Sequence, residues 1–175
     1  MTTTSTITGE RADLLQTLSK HRYFLRFTVR ELTDEQAGAH PTASELCLGG
    51  LIKHVTDSER VWINFIERGP SAMSGGEERG DWDVDSWPAK FQMVPGDTLA
   101  ALLADYQAVA DRTDQLVKEL PDLDAAQPLP EAPWFEPGAT WSARRVLLHV
   151  IAETAQHAGH ADILRESIDG AKTMG

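Results

Sequence analysis

The stretch from Thr140 to Gly170 carries one continuous helical signal, and it constrains the fold more than any other part of the chain. Thr140 or Ser142 can cap its start and Gly170 can close its end, while Val146, Val150, Ala161, Leu164 and Ile168 recur at the spacing of a single buried face. His149, Glu153, His157 and His160 lie on that same side. At about 100° per residue, Glu153, His157 and His160 fall within roughly 60° of one another, close to the direction of Val146 and Leu164. A carboxylate and several imidazoles turned toward a core need a common partner, because burying them alone is costly; a metal ion, a hydrogen-bonded network or a ligand would each serve.

Three further helical patterns precede this one. The first is predicted from Gly9 to Leu32, with Leu14, Leu18, His21, Leu25, Val29 and Leu32 along one stripe; His21 reads as a histidine at the core edge with a hydrogen-bond partner. Thr33-Asp34-Glu35-Gln36 has the form of a capping box and predicts one short turn before the Ala39-His40-Pro41 break, which leaves His40 in an exposed loop. The second long helix is predicted from near Ser44 to Arg68, closed by Gly69-Pro70. Its apolar face holds Cys47, Leu51, Val55, Val61, Trp62 and Phe65, with His54 in the middle. Gly49-Gly50 weakens helix propensity there, which implies that another helix or a ligand comes close to the backbone. The third, capped by Asp97 or Thr98, is expected to reach Leu120 with a clean period and no inward charge, as scaffold.

Long connections separate these patterns. Residues 69 to 96 are aperiodic and rich in Gly, Asp, Trp and Pro, and Trp82 and Trp87 favour an ordered flap beside a pocket. The 121 to 139 segment holds Pro128, Pro130, Pro133 and Pro137 around Trp134-Phe135, which excludes a helix and suits a semi-rigid wall. No strand-like alternation and no internal repeat is evident. The expected fold class is therefore all-α, a four-helix bundle with long connections between helices 2 and 3 and between helices 3 and 4.

A chain of 175 residues suits one domain with a substantial core, so residues 1–175 are expected to form a single domain. A net charge of -11 and a pI near 4.9, with no Lys/Arg cluster, speak against a nucleic-acid partner. No apolar run approaches the ~20 residues of a membrane span, and the polar N-terminal run lacks the apolar centre of a secretory leader. The expectation is a soluble, cytoplasmic protein without a membrane partner. Cys47, the single cysteine, excludes an internal disulfide and fits a reducing compartment. Near His54 it reads as a small buried hydrophobe rather than a catalytic thiolate.

Imidazole nitrogen and carboxylate oxygen are ligands for zinc and its neighbours, and helical residues four apart can converge on one ion. Glu153 and His157 have that spacing, and His54 is the natural third ligand from another helix. His157 with His160, or His149 with Glu153, are further possible pairs that spacing alone does not separate. His149 and Glu153 do not form the His-Glu-x-x-His of zincin proteases, no Glu-x-x-His pair repeats on two helices as in di-iron bundles, and no glycine-rich nucleotide loop is present. Arg144-Arg145 could meet an anionic substrate at the bundle end, although a solvated or salt-bridged surface is the plainer reading.

Leu48-Gly49-Gly50-Leu51-Ile52-Lys53-His54 and the run Glu153-Thr154-Ala155-Gln156-His157-Ala158-Gly159-His160-Ala161-Asp162-Ile163-Leu164-Arg165-Glu166 resemble the corresponding motifs of the DinB-like superfamily. The resemblance covers nearly the whole chain and is nearest to the branch related to mycothiol-dependent maleylpyruvate isomerases. It implies a four-helix bundle holding a divalent ion, zinc or nickel, on His54, Glu153 and His157, with His160 beside the last ligand as a catalytic acid/base or proton shuttle and His149 left to a structural role. The isomerases carry an additional C-terminal domain where this sequence ends, so the broader chemistry is the implied one: a metal-dependent S-transferase that presents mycothiol or a similar low-molecular-weight thiol to an electrophilic substrate, as in detoxification. The alternatives are a non-enzymatic metal- or ligand-binding stress protein and a metal-dependent hydrolase. A homodimer formed through helix faces is also expected.

Overall fold

The computed structural model describes residues 7–73 and 90–173. The expected flap residues Trp82 and Trp87 lie outside the described residues. Among those described, four long helices form a bundle: α1 (Glu10–Thr28), α3 (Leu48–Arg68), α4 (Leu99–Glu119) and α5 (Ala143–Asp169), with the short α2 (Asp34–Ala37) after α1. The α1 and α5 helices run parallel to each other, and α3 and α4 run together in the opposite direction. The last helix, α5, is the organising element. It packs on α1 along one side and on α3 along the other, while α4 closes the bundle against α3.

Local chemistry sets the helix ends. Thr33 and Gln36 form the expected capping box, each side chain accepting from the other's backbone N–H at 3.2 and 3.0 Å. Thr98 caps α4, and the Asp34 carboxylate reaches across to accept from Leu99 N at 2.7 Å, so α2 is tied to the start of α4. Two boundaries differ from the sequence expectation. The first helix ends at Thr28 rather than Leu32: Glu31 takes a left-handed φ of 60°, and the carbonyls of Thr28 and Arg30 accept from the Arg165 guanidinium of α5 at 2.8 and 2.7 Å. The α3 helix starts at Leu48 rather than Ser44, because Thr42 and Ser44 bond the backbone two residues on and hold a turn. Cys47 is the actual cap, its Sγ accepting from Gly50 N at 3.3 Å.

A two-stranded antiparallel ribbon, β1 (Ala126–Pro128) with β2 (Thr140–Ser142), corrects the expectation of no strand. Strands of three residues are too short to show alternation, and the register comes from contacts outside them. Leu129 N donates to Ala139 O, and the N–H groups of Ala143 and Arg144 donate to the carbonyls of Ala125 and Leu123, each at 2.9 Å. Ser142, the second of the two candidate caps, accepts from Arg145 N at 3.2 Å. The ribbon thereby fixes Trp141 immediately before α5 begins.

The core divides into two apolar clusters, one around Leu25, Leu51, Val55, Tyr106 and Ala161, the other around Leu18, Phe65, Val117, Val146 and Leu147. Between them lies a polar layer. Arg22, between Leu18 and Leu25, donates to both carboxylate oxygens of Glu59 and, at 2.7 Å, to Asp114; the Thr113 hydroxyl adds a bond of 2.5 Å to Glu59. Arg22 and Glu59 are both buried, and each satisfies the other's charge. Because Thr113 belongs to this layer, α4 is less purely apolar than its period implies.

Candidate metal centre

On α3, His54 follows one turn after Gly50. The two glycines expected to admit a close neighbour do so: a Cβ at Gly50 would stand 1.8 Å from the Phe91 carbonyl oxygen, and one at Gly49 would stand 2.2 Å from Met93 Sδ. The neighbour is neither a helix nor a ligand but the 91–93 segment leading into α4. Cys47 holds the same segment, its thiol donating to Phe91 O at 3.6 Å. With its backbone lying on the glycines, Phe91 stacks its ring on His54, with centroids 4.0 Å apart and planes 27° from parallel. Phe91 was not legible as a site residue, because it belongs to an aperiodic stretch.

Facing His54 across the α3–α5 groove are Glu153 and His157, one turn apart on α5. Glu153 Oε2 lies 3.4 Å from His157 Nε2 and 3.9 Å from His54 Nε2. One ligand atom from each of the three lies within 4.8 Å of the others. Metal bonds of about 2.1 Å to nitrogen and oxygen put the ligands of a tetrahedral ion about 3.4 Å apart, so this donor set fits a small divalent ion with little adjustment. The three side chains are 23, 28 and 12% exposed, so they line the edge of the core and not its interior. The buried face of α5 runs instead through Leu147, Val150, Thr154, Ala158 and Ala161, about a quarter-turn round the helix. His157 and His54 hold the Glu153 carboxyl well below the usual carboxylate range, against the opposing effect of burial.

The other histidines divide by position. His160 places Nδ1 3.5 Å from His157 Nδ1, on the side of the ring away from Glu153. His149 brings Nε2 to 4.0 Å from Glu153 Oε1, while its ring meets Trp62 and Trp141 edge-on. Burial lowers the pKa of His149, with Glu153 opposing and Arg145 adding to the shift. His21 packs edge-on against Phe24 of α1, and His40 is exposed; neither belongs to the three-residue group.

Beyond His149 the groove ends in an aromatic block. Trp62 and Trp141 stack at 4.8 Å and 13°, and Phe135 of the proline-rich connection meets both edge-on. This bears out the expectation that the 121–139 segment forms a wall beside the last helix. The paired arginines behave differently: Arg144 is held by Glu10 and Asp124, whereas Arg145 lies over the Trp141 ring.

A family model described as mycothiol S-transferase matches residues 13–170. Among solved structures, the chain is similar to a conserved protein from Enterococcus faecalis with a TM-score of 0.71 at 15% identity, over 94% of this chain and 100% of that one. That likeness shows a shared fold. A comparison with curated protein sequences returns no match. Among the described residues, no helix is long and apolar enough to cross a membrane.

Proposed function

Because the chain belongs to the mycothiol S-transferase family, we propose that it is a metal-dependent thiol S-transferase, with mycothiol or a related small thiol as co-substrate and His54, Glu153 and His157 as the ligands of a divalent ion. The observation that carries this reading is the approach of Glu153 to both imidazoles at 3.4 and 3.9 Å from two different helices. With two neutral imidazoles and one carboxylate, a bound divalent ion keeps one positive charge and an open position, the conditions under which it holds a thiol as thiolate at neutral pH.

The chain's own residues supply the rest. Phe91 stacks on His54 and limits rotation of its ring. His160 engages His157 at Nδ1, which leaves the Nε2 lone pair of His157 directed at the ligand group. From this position His160 acts first as an orienting partner, and a role in proton transfer runs through the same contact. The Trp62, Trp141 and Phe135 block bounds the groove beyond His149 and keeps water from that side of the reacting sulfur.

The test is metal analysis of the purified protein, followed by incubation of the ion-loaded protein with mycothiol and bromobimane. In that reaction a carbon–sulfur bond forms as the carbon–bromine bond breaks, bromide leaves with the bonding pair and the thiol proton passes to buffer. A rate well above the protein-free reaction, lost on chelation, is expected. A protein that takes up no divalent ion, or an ion-loaded protein with no rate enhancement, would overturn the proposal.

A further inference from the structure

The ridge that carries the ligands continues toward the start of α5. Arg145, His149, Glu153 and His157 follow one another at steps of four residues, so Arg145 lies about 12 Å along the helix from Glu153. Its neighbour Arg144 is neutralised by Glu10 and Asp124. The Arg145 guanidinium instead rests 4.8 Å from the centroid of the Trp141 ring, and the residue is exposed.

The ring under it is held firmly. Trp141 is fixed in the ribbon opposite Gln127, stacked on Trp62 and braced by Phe135. His149 touches both indoles and reaches to 4.0 Å from Glu153. A continuous surface therefore leads from the guanidinium to the ligand group. A guanidinium lying on an aromatic ring keeps its N–H donors in the plane of its fork, oriented for the two oxygens of a carboxylate and with less freedom to lose on binding. In a chain of net charge -11, a cation without a carboxylate partner among the described residues, beside the reactive groove, is suited to select an anion.

We propose that Arg145, held against Trp141, binds the carboxylate of a small-molecule substrate whose other end reaches the metal centre. The substrate class is thus a carboxylate-bearing electrophile or a carboxylate-bearing thiol. The role of this subsite in turnover rests on the transferase reading, whereas its affinity for a carboxylate does not.

The experiment has a binding arm and a kinetic arm. In the first, benzoate and benzamide are titrated into ion-loaded wild type, Arg145→Gln and Arg145→Lys proteins, followed by calorimetry. Benzoate is expected to bind wild type roughly tenfold more tightly than benzamide, with Arg145→Gln losing the difference and Arg145→Lys keeping part of it. In the second, mycothiol is offered 4-(bromomethyl)benzoate or 4-(bromomethyl)benzamide; carbon–sulfur bond formation again expels bromide and releases the thiol proton to buffer. A parallel pair offers N-acetylcysteine or its amide to neutral bromobimane. A carboxylate preference carried in KM and abolished by Arg145→Gln is expected in one pair, and that pair identifies whether electrophile or thiol bears the charge. Equal binding of benzoate and benzamide by wild type, or a preference that survives Arg145→Gln, overturns the proposal. Absence of turnover with every pair while Arg145-dependent benzoate binding persists sinks the transferase reading and leaves the carboxylate site standing.

Discussion

The Phe91 ring lies 4.0 Å from that of His54 and nearly parallel to it, and the contact exists because Gly50 lets the Phe91 backbone lie directly on α3. A side chain at position 50 would meet the Phe91 carbonyl at 1.8 Å, a distance no rotamer change relieves because the atom is backbone. The glycine therefore serves the metal centre at one remove. Gly50→Ala is expected to push the 91–93 segment away, free the His54 ring and weaken metal affinity by about 10- to 100-fold, the usual scale for losing a supporting group around a ligand. Phe91→Ala should show the same direction with a smaller loss of stability. Metal titration by calorimetry checks both, and unchanged affinity in both would separate Phe91 from the site.

His157 and His160 are one turn apart and differ in what their variants should do. His157→Ala removes a proposed ligand and is expected to leave protein that retains little ion after purification. His160→Ala removes only the partner at His157 Nδ1. It is expected to retain the ion, bind it about 10- to 100-fold more weakly and turn over more slowly. Equal loss of metal in the two variants would make His160 a ligand.

Much of this arrangement was legible because it is local. Glu153 and His157 are one turn apart on a helix whose period is strong, so helical geometry made them one of three possible pairs and the family resemblance chose among them, while His54 stood out as an imidazole within an apolar stripe. Arg22 and Glu59 went unremarked, although the interruption each makes in a stripe, between Leu18 and Leu25 or between Val55 and Trp62, is visible in the same way. Their pairing is not, because it depends on which helices become neighbours and at what height. Phe91 and the ribbon were illegible for a different reason: an aperiodic segment takes its position from what it packs on, here two glycines and the start of α5.

The Arg22–Glu59 pair bridges α1 and α3 in the layer between the two apolar clusters, with Thr113 and Asp114 of α4 completing it. Glu59→Ala leaves a buried guanidinium with Asp114 as its one remaining counter-charge among the described residues and is expected to cost about 3–5 kcal/mol in urea unfolding. Replacing both partners by apolar residues, Arg22→Met with Glu59→Leu, should recover most of that loss, since no uncompensated charge remains. A double variant as unstable as Glu59→Ala would show that the network contributes more than mutual neutralisation.

Removing the ion should itself lower stability, because the proposed ligands come from two helices and binding favours their docked arrangement. With free metal at about 100 times its Kd, mass action contributes about 2.7 kcal/mol to the folded state. Thermal unfolding with and without chelator is expected to show a lower Tm for the stripped protein, restored on adding the ion back. In His157→Ala the two curves should coincide, which distinguishes loss of this site from a general effect of the chelator.

Cys47 is close enough in sequence to His54 to suggest a nucleophile, and its surroundings argue otherwise. It is fully buried, its sulfur accepts from Gly50 N, and its thiol donates to Phe91 O, so the group is occupied at both ends by the backbone it organises. A serine hydroxyl is a better helix cap than a thiol but is shorter and more polar, so Cys47→Ser trades cap strength against packing, and the net change is expected to stay within about 1 kcal/mol. Cys47→Ala loses the cap outright and should cost about 1 kcal/mol or somewhat more. Both variants are expected to bind the ion and transfer the thiol at rates within a few-fold of wild type. Abolished transfer in a Cys47→Ser protein that still folds and still holds metal would place the catalytic sulfur on the protein rather than on the co-substrate.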